Sequence, residues 1–240
     1  MLSCFFPAFN EEPNISHVVQ EALEVLPRYA DRIEVIVVDD GSEDGTADVV
    51  RALAADHPEV RLEQHPRNLG YGHALQTGLR TAKGDAVFFT DGDRQFSVAD
   101  IGRLLDRFDE ADLVAGYRIE RSDPWHRLVV ARVYHVVLRL VFGLRVHDVD
   151  CAFKLLRRRV LDAVLDDLVS RSAFISPELL IRAKQAGFEV TEVPIPHHPR
   201  VAGTPGGATP KVIARTLVEI VRMRRRLGAS GRGRSIAGRR

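Results

Sequence analysis

The chain has 240 residues, 45% of them hydrophobic, with a formal net charge of +1. That is enough for one large or two small domains with a real core. The near-neutral total conceals an asymmetry: residues 211–240 carry ten Lys/Arg against one acidic residue, Glu219, so this segment is +9 and residues 1–210 are −8. A basic tail on an acidic body suits a polyanionic partner, anionic lipid or nucleic acid, or serves as a disordered solubilising extension. The two cysteines, Cys4 and Cys151, form no Cys-x-x-Cys pair. That argues against structural zinc and redox motifs and leaves them as small buried residues of a reducing compartment. The first residues lack a basic stretch and their apolar run stops at Asn10-Glu11-Glu12, so no signal peptide is expected. No window offers the roughly 20 uninterrupted apolar residues of a membrane span.

Taken in order, residues 2–6 read as a strand that starts at once and ends at Pro7-Ala8-Phe9-Asn10-Glu11-Glu12-Pro13. An amphipathic helix follows, with Ile15, Val18, Val19, Ala22, Leu23 and Leu26 on one face. Residues 33–38 form a second strand, running into Asp39-Asp40-Gly41-Ser42. A helix over 46–55, a strand over 60–64 and a helix over 70–82 come next. The run Ala86-Val87-Phe88-Phe89 reads as a short buried strand. It leads into Thr90-Asp91-Gly92-Asp93-Arg94-Gln95-Phe96. A helix over 97–108 and a strand over 112–116 complete the first half. Strand–helix alternation with apolar strands is the pattern of a parallel α/β sheet. In such sheets ligands sit beyond the carboxyl ends of the strands, and three polar clusters, after Phe6, Val38 and Thr90, fall at that edge.

The Asp91-Gly92-Asp93 stretch carries the sharpest chemistry. Aspartates two apart can share one hard divalent cation, which takes oxygen ligands and keeps waters for a phosphate partner. Gly92 leaves room for close approach, and Gln95 adds a neutral oxygen. Alone, the same residues read as an Asp-Gly turn ahead of a helix capped by Ser97. Convergence of three acidic clusters on one edge favours a metal–diphosphate site.

Pro7-Ala8-Phe9-Asn10-Glu11, Val38-Asp39-Asp40-Gly41-Ser42, Arg67-Asn68-Leu69-Gly70 and Asp91-Gly92-Asp93-Arg94-Gln95 resemble, in order and spacing, the motifs of family 2 glycosyltransferases with the GT-A fold. The likeness is nearest the polyprenyl-phosphate (dolichol-phosphate-type) mannosyl/glucosyltransferase branch and spans residues 2 to about 220. It implies an α/β, Rossmann-like, mostly parallel sheet flanked by helices, with amphipathic interface helices in the C-terminal half. It implies a domain over 1–220, with a nucleotide-sugar half at 1–116 and an acceptor half at 117–220, followed by a basic tail at 221–240. On this resemblance Pro7, Phe9 and Glu11 line the nucleotide. Asp40, with Asp39 beside it, contacts base or ribose, since a carboxylate accepts from base N–H or ribose hydroxyls. Asp91 meets the donor sugar nucleotide beside Gly92, and Asp93 and Gln95 hold Mg²⁺ or Mn²⁺ against the diphosphate. For Glu11 and Asp39, helix N-capping is a second role compatible with the first.

The second half bears on the acceptor. Gly116-Tyr117-Arg118 matches the branch's Gly-x-Arg, whose Arg lies near the acceptor phosphate. A helix over 125–143 is highly apolar, with Trp125 at its start and Arg132, His135 and Arg139 on one stripe. That composition suits either the membrane interface or a buried domain helix, and the resemblance favours the interface. Arg127 and Arg132 resemble the positions that hold the lipid phosphate, a task for which the guanidinium fork is suited. Their alternative is snorkelling on a helix flank. Asp148-Val149-Asp150-Cys151-Ala152-Phe153-Lys154 resembles a further motif of the branch, which implies that Asp148 or Asp150 lies near the reacting centre. Ser176-Pro177-Glu178 reads as a capped helix start, with Glu178 facing the sugar in the family. A strand over 188–195 leads through His197-His198-Pro199-Arg200, where Arg200 matches an Arg that reaches donor or acceptor phosphate. Residues 201–210 form a Gly-rich candidate lid. Eukaryotic-type members have a Lys six residues after that Arg; here the position is Gly206. A last helix over 211–227 ends in Arg222-Met223-Arg224-Arg225-Arg226 beside apolar positions, a pairing that fits an anionic leaflet.

The expected reaction is an inverting, single-displacement transfer of mannose or glucose from a GDP- or UDP-hexose to a polyprenyl phosphate, by a peripheral protein on the cytoplasmic face of the membrane, with no nucleic-acid partner. The catalytic set is Asp91, Asp93 and Asp150. A hydroxyl acceptor needs a general base, whereas a phosphate monoester, with a second pKa of about 6, is already largely ionised at neutral pH. No Glu-Asp pair followed by a Gln-x-x-Arg-Trp-type stretch occurs. The competing expectations are a family 2 transferase acting on a glycan or small-molecule hydroxyl, a nucleotidyltransferase, and a non-catalytic nucleotide-sugar or nucleic-acid-binding module. The nucleotidyltransferase expects a Gly-rich basic stretch where Pro7 to Glu12 stand.

Overall fold

The computed structural model describes residues 1–119, 125–201 and 216–227, with 125–130 described by their backbone alone. Seven strands form one sheet: β1 (Leu2–Ala8), β2 (Ile33–Asp39), β3 (Val60–Gln64), β4 (Ala86–Phe89), β5 (Leu113–Ile119), β6 (Lys154–Arg157) and β7 (Val190–Pro196). Their order is β3-β2-β1-β4-β6-β5-β7. β1 to β4 are mutually parallel and β5 is parallel to β7, while β6 runs antiparallel to both its neighbours. The sheet is mostly parallel and flanked by helices, as expected.

Successive side chains of a strand face opposite sides, and both faces here are apolar. On one face Phe5, Ile36, Val38, Phe89, Leu113 and Leu156 pack under Leu75 and Leu79 of helix α3 (Tyr71–Thr81). Helix α5 (Trp125–Phe142), helix α6 (Arg158–Val164), helix α7 (Ile175–Gln185) and helix α8 (residues 216–227) close this face. They contribute Leu138, Leu161, Leu179 and Ile220. On the other face Cys4, Phe6, Val35, Val37, Phe88 and Leu155 pack against α1 (Glu12–Val25) and α4 (Ile101–Leu105). Helix α2 (Thr46–Asp56) covers the β3 edge of that layer. Phe5 stacks on Phe89 at 5.2 Å between ring centroids. A methyl group on Gly78 would fall 2.2 Å from the Phe5 ring, so glycine sets how closely α3 approaches β1.

Three local readings change. The helix expected over 97–108 is a 3-10 turn, Val98–Asp100, followed by the short α4, and Ser97 caps it by accepting from the Ala99 N–H at 3.2 Å. β6 and α6 were not anticipated; β6 is held by pairing to β4 and β5 on either side. Ser176 is not a cap: α7 begins at Ile175, and Ser176 Oγ instead donates to the Val149 carbonyl at 2.9 Å.

Pro7 occupies an internal strand, where it lacks an N–H to give. β1 pairs with β4 only as far as Phe5↔Phe89, while its pairing with β2 continues to Ala8↔Asp39. Proline therefore stands where the β4 side of the ladder has already ended, at the margin of the cleft.

Candidate active site

Every expected carboxylate of the first half leaves a strand at the same edge. β1 ends into Phe9-Asn10-Glu11, β2 into Asp39-Asp40 and β4 into Asp91-Gly92-Asp93. The backbone there is pinned by polar groups that serve one another. Asn10 N–H donates to Ser42 Oγ at 2.9 Å and Glu43 N–H to Asn10 Oδ1 at 2.8 Å. Glu11 N–H donates to Thr46 Oγ1 at 2.9 Å, and Gly45 N–H to Glu12 Oε2 at 2.8 Å. The orphan N–H groups of two helix starts are thus satisfied across the α1–α2 junction. Glu11 stands at the N-cap position of α1 but its side chain does not cap.

Asp39 and Asp40 are buried and fully engaged. Asp39 accepts from Ser42 N–H at 3.0 Å and from Gln64 Nε2 at 2.9 Å. Asp40 accepts from Leu69 N–H at 2.9 Å and Gly70 N–H at 2.7 Å, with His65 Nδ1 at 2.7 Å. The pair therefore fixes the segment leading into α3. Beside it lies a cavity of about 580 Å³ lined by Ser42, Glu43, Gln64, His65, Arg67 and Asn68, among others, a volume in the range of small-ligand sites. Gly41, at φ +73°, faces the Arg67 backbone, where a Cβ would come within 2.3 Å. Phe9 is partly exposed and Pro7 is buried.

The Asp91/Asp93 turn is the electrostatic centre. Burial first, then the charge of Asp93, pushes the Asp91 carboxyl up to about 7, against the opposing pull of the Tyr71 hydroxyl, Arg200 and Arg118. Tyr71, at the first turn of α3, gives its hydroxyl to Asp91. Asp93 is 4% exposed; its Oδ1 accepts from the Gln95 N–H at 3.0 Å and its Oδ2 from Arg200 Nη2 at 2.6 Å. Arg200 Nη1 reaches Glu11 Oε1 at 2.9 Å, so one guanidinium joins the ends of β1 and β4. Arg94, between Asp93 and Gln95, takes φ 63°, and Asn10 takes φ 55°. Left-handed backbone at non-glycine residues costs energy and concentrates at functional turns. Gly92 is packed by Ile15, whose Cδ1 would lie 3.3 Å from a Cβ there.

The second half supplies cations. Arg118, at the end of β5, binds Asp148 bidentately, Nε to Oδ2 at 2.6 Å and Nη2 to Oδ1 at 2.9 Å. Burial works against its charge, but Asp148 outweighs burial and holds the guanidinium above its ordinary pKa. Asp150, two residues on, is exposed. The loop between them is anchored from below by Lys154, fully buried in β6, which donates to the Cys151 carbonyl and to Ser176 Oγ at 2.7 Å. Burial lowers the Lys154 pKa and raises the Cys151 thiol to about 12. Glu178 is buried and holds the Val169 and Ser170 N–H groups at 3.1 and 2.8 Å and Arg182 Nε at 3.0 Å, which gives it a structural role. Arg132, His135 and Arg139 all lie on α5, and His135 Nε2 accepts from the Val149 N–H at 3.3 Å. Arg132 is exposed on α5. The Arg127 side chain and residues 202–210 lie outside the described residues. Another cavity, of about 730 Å³, lies between α3, residues 168–171 and α8 and is lined by none of the expected site residues.

Among the described residues no cluster of three or more His, Cys, Asp or Glu could hold a metal ion. A pair of crowded carboxylates nevertheless fits Mg²⁺ or Mn²⁺ chemistry. Such ions take one or two protein carboxylates and complete their shell with phosphate oxygens and water. The repulsion that raises Asp91 is the kind a cation relieves.

A mostly parallel sheet with paired aspartates beyond β4 and nucleotide-sized space beyond β2 is the GT-A arrangement. The model for "Glycosyl transferase family 2" matches residues 3–165, and the chain belongs to that family. Glycosyltransferase AglD of Haloferax volcanii is 32% identical over 207 residues, covering 83% of this chain and 33% of its own length. The chain therefore spans about a third of that relative. Polyprenol monophosphomannose synthase of Mycolicibacterium smegmatis is 32% identical over 208 residues, covering 82% of this chain and 77% of that protein. The motifs' resemblance to the polyprenyl-phosphate branch agrees with that relative's name. Glucosyl-3-phosphoglycerate synthase from Mycobacterium tuberculosis, crystallised with Mn²⁺, UDP-glucose and phosphoglyceric acid, superposes with a TM-score of 0.69 at 21% identity, over 92% of this chain and 79% of that one. That likeness is one of fold.

Proposed function

We propose that this chain transfers a hexose, mannose or glucose, from a GDP- or UDP-sugar to the phosphate of a polyprenyl phosphate, with inversion. The observation that carries the reading is the meeting of the carboxylate-bearing ends of β1 and β4 with arginines from the other half: Arg200 bridges Glu11 and Asp93, and the charge of Arg118 acts on Asp91. A site with anionic ligands for a cation on one side and guanidinium forks on the other suits two phosphate-bearing substrates. The named relative acting on a polyprenol phosphate supports the acceptor class.

Asp93 and Gln95 would hold Mg²⁺ or Mn²⁺, which when bound offsets charge on the leaving diphosphate. Asp91, steadied by Tyr71, faces the donor sugar. Asp148 is a poor general base, because both its oxygens are committed to Arg118. A phosphate acceptor needs no base, and Arg118 is oriented by that same pair for phosphate. Attachment to a membrane surface is supported by α5 and α8. Val133, Val136 and Leu140 are exposed beside Arg132 and Arg139, and Leu217, Val218 and Val221 beside Arg222, Arg224 and Arg225. Apolar side chains rimmed by arginine suit an anionic interface. Among the described residues no helix is long and apolar enough to cross a membrane.

The test is a transfer assay with purified protein, undecaprenyl phosphate, Mg²⁺ or Mn²⁺ and a panel of radiolabelled GDP- and UDP-sugars. Label should enter the organic phase with the unaltered protein and not with Asp93→Ala. Label reaching only water-soluble hydroxyl acceptors would replace the lipid reading with the glycan one.

A further inference from the structure

Arg200 is held at a position that its sequence role as a phosphate-binding group does not require. Its guanidinium lies between two carboxylates from different strands, 2.9 Å from Glu11 and 2.6 Å from Asp93. Each carboxylate has its other oxygen served locally. Glu11 Oε2 accepts from Asn14 Nδ2 at 2.7 Å, and Asp93 Oδ1 accepts from the Gln95 N–H at 3.0 Å. The remaining oxygens, Oε1 and Oδ2, are the ones turned to the guanidinium. The chain delivering Arg200 is itself stitched to the aspartate turn: His198 N–H donates to the Gln95 carbonyl at 2.9 Å, and Gln95 Nε2 donates to the His198 carbonyl at 3.2 Å. Arg200 is thus positioned two residues beyond a reciprocal clamp on the turn that carries Asp93.

We infer that Arg200 and the divalent cation are competing partners of Asp93, so that metal binds with a diphosphate, which draws the guanidinium onto its own oxygens, and not ahead of it. This rests on the reading of Asp93 as a metal ligand. Two cations on one carboxylate repel each other strongly in a recessed site. A guanidinium that trades a bidentate pair of carboxylates for phosphate oxygens keeps charge-assisted hydrogen bonds throughout. The exchange makes metal and diphosphate bind cooperatively, and by linkage each raises the affinity for the other equally. It also gives Glu11 a role distinct from lining the nucleotide, since it holds the other arm of Arg200.

The experiment is Mn²⁺ titration of the full chain followed by the EPR signal of the free ion, with Mn²⁺ alone and with UDP or GDP. The unaltered protein should bind Mn²⁺ weakly alone and much more tightly with the nucleotide. Arg200→Gln should bind Mn²⁺ alone about tenfold more tightly than the unaltered protein and lose most of the nucleotide's effect, a size ordinary for coupled sites. Arg200→Lys, which keeps the charge, should stay near the unaltered protein. Glu11→Gln, which loosens one arm only, should shift in the same direction by less, and it serves as the test if Arg200→Gln does not fold by thermal unfolding. Asp93→Asn should bind poorly under all conditions. Mn²⁺ binding that depends on Asp93 yet is not tightened by Arg200→Gln, or by Glu11→Gln, overturns the exchange alone. Mn²⁺ binding unaffected by Asp93→Asn overturns the metal-site reading and the exchange with it.

Discussion

The two halves of the sheet place the polar groups of the cleft differently. From β1 to β4 every strand is parallel, and the cleft carboxylates Glu11, Asp40, Asp91 and Asp93 all lie just past strand ends, at one edge. From β5 onward a charged residue, Lys154, lies inside a strand at zero exposure, and apolar residues stand in solvent on α5 and α8. The first half builds a carboxylate-lined edge by local rules: a buried strand, then a polar turn. The second is built by long-range pairing, with the buried Lys154 fixing a loop and apolar side chains exposed on α5 and α8. On the proposed function, the first half would act through single side chains and the second through how well a loop is held.

That contrast can be broken most sharply at Asp91. Asp91→Asn should cut transfer by about 10²–10³-fold, the scale of losing one preorganised electrostatic group, while leaving thermal stability unchanged or higher, because repulsion with Asp93 is relieved. A large loss of stability in a melting curve would mean that this carboxylate edge is structural after all. Lys154→Ala should do the reverse. Its buried ammonium serves the Cys151 carbonyl and Ser176 Oγ, and leaving such groups unpaired costs about 2–5 kcal/mol. The denaturant midpoint reads that cost directly, and a change under 1 kcal/mol would remove Lys154 as the anchor of the Asp148–Asp150 loop. The smallest effect belongs to the exposed stripe of α5. Leu140→Ser with Arg132→Gln should leave stability within about 0.5 kcal/mol, as for surface changes generally. Co-sedimentation with anionic vesicles should fall severalfold, and unchanged sedimentation would move membrane contact off α5.

The same contrast explains what could be read in advance. The first four strands and their helices follow from periodicity, since β1, β2 and β4 are buried in apolar layers on both faces and β3 adds its apolar Val60 and Leu62 at the edge. The convergence of Glu11, Asp91 and Asp93 follows from parallel strands ending at one edge. Lys154-Leu155-Leu156-Arg157 carries no such signal: four residues, charged at both ends, become a strand because β4 and β5 offer facing ladders. Ser176 looks like a cap by its neighbours, but its partners, Lys154 and Val149, are 22 and 27 residues away. Tyr71 opens α3 with no sequence mark of a site, and only the fold brings its hydroxyl to Asp91. Asp40 was readable as a functional carboxylate, whereas its engagement with Leu69 and Gly70, some 30 residues on, was not.

The position of β6 has a further consequence, for the order of assembly. In the sheet, the parallel block β3-β2-β1-β4 and the pair β5-β7 touch only through the four residues of β6. A chain emerging from the ribosome can close the first block as soon as residue 89 is out. β5 arrives next but has no neighbour to lie against until β6 is made about 40 residues later. For that interval β5 is an unpaired apolar strand, and the short β6 works as the keystone that lets both blocks become one sheet.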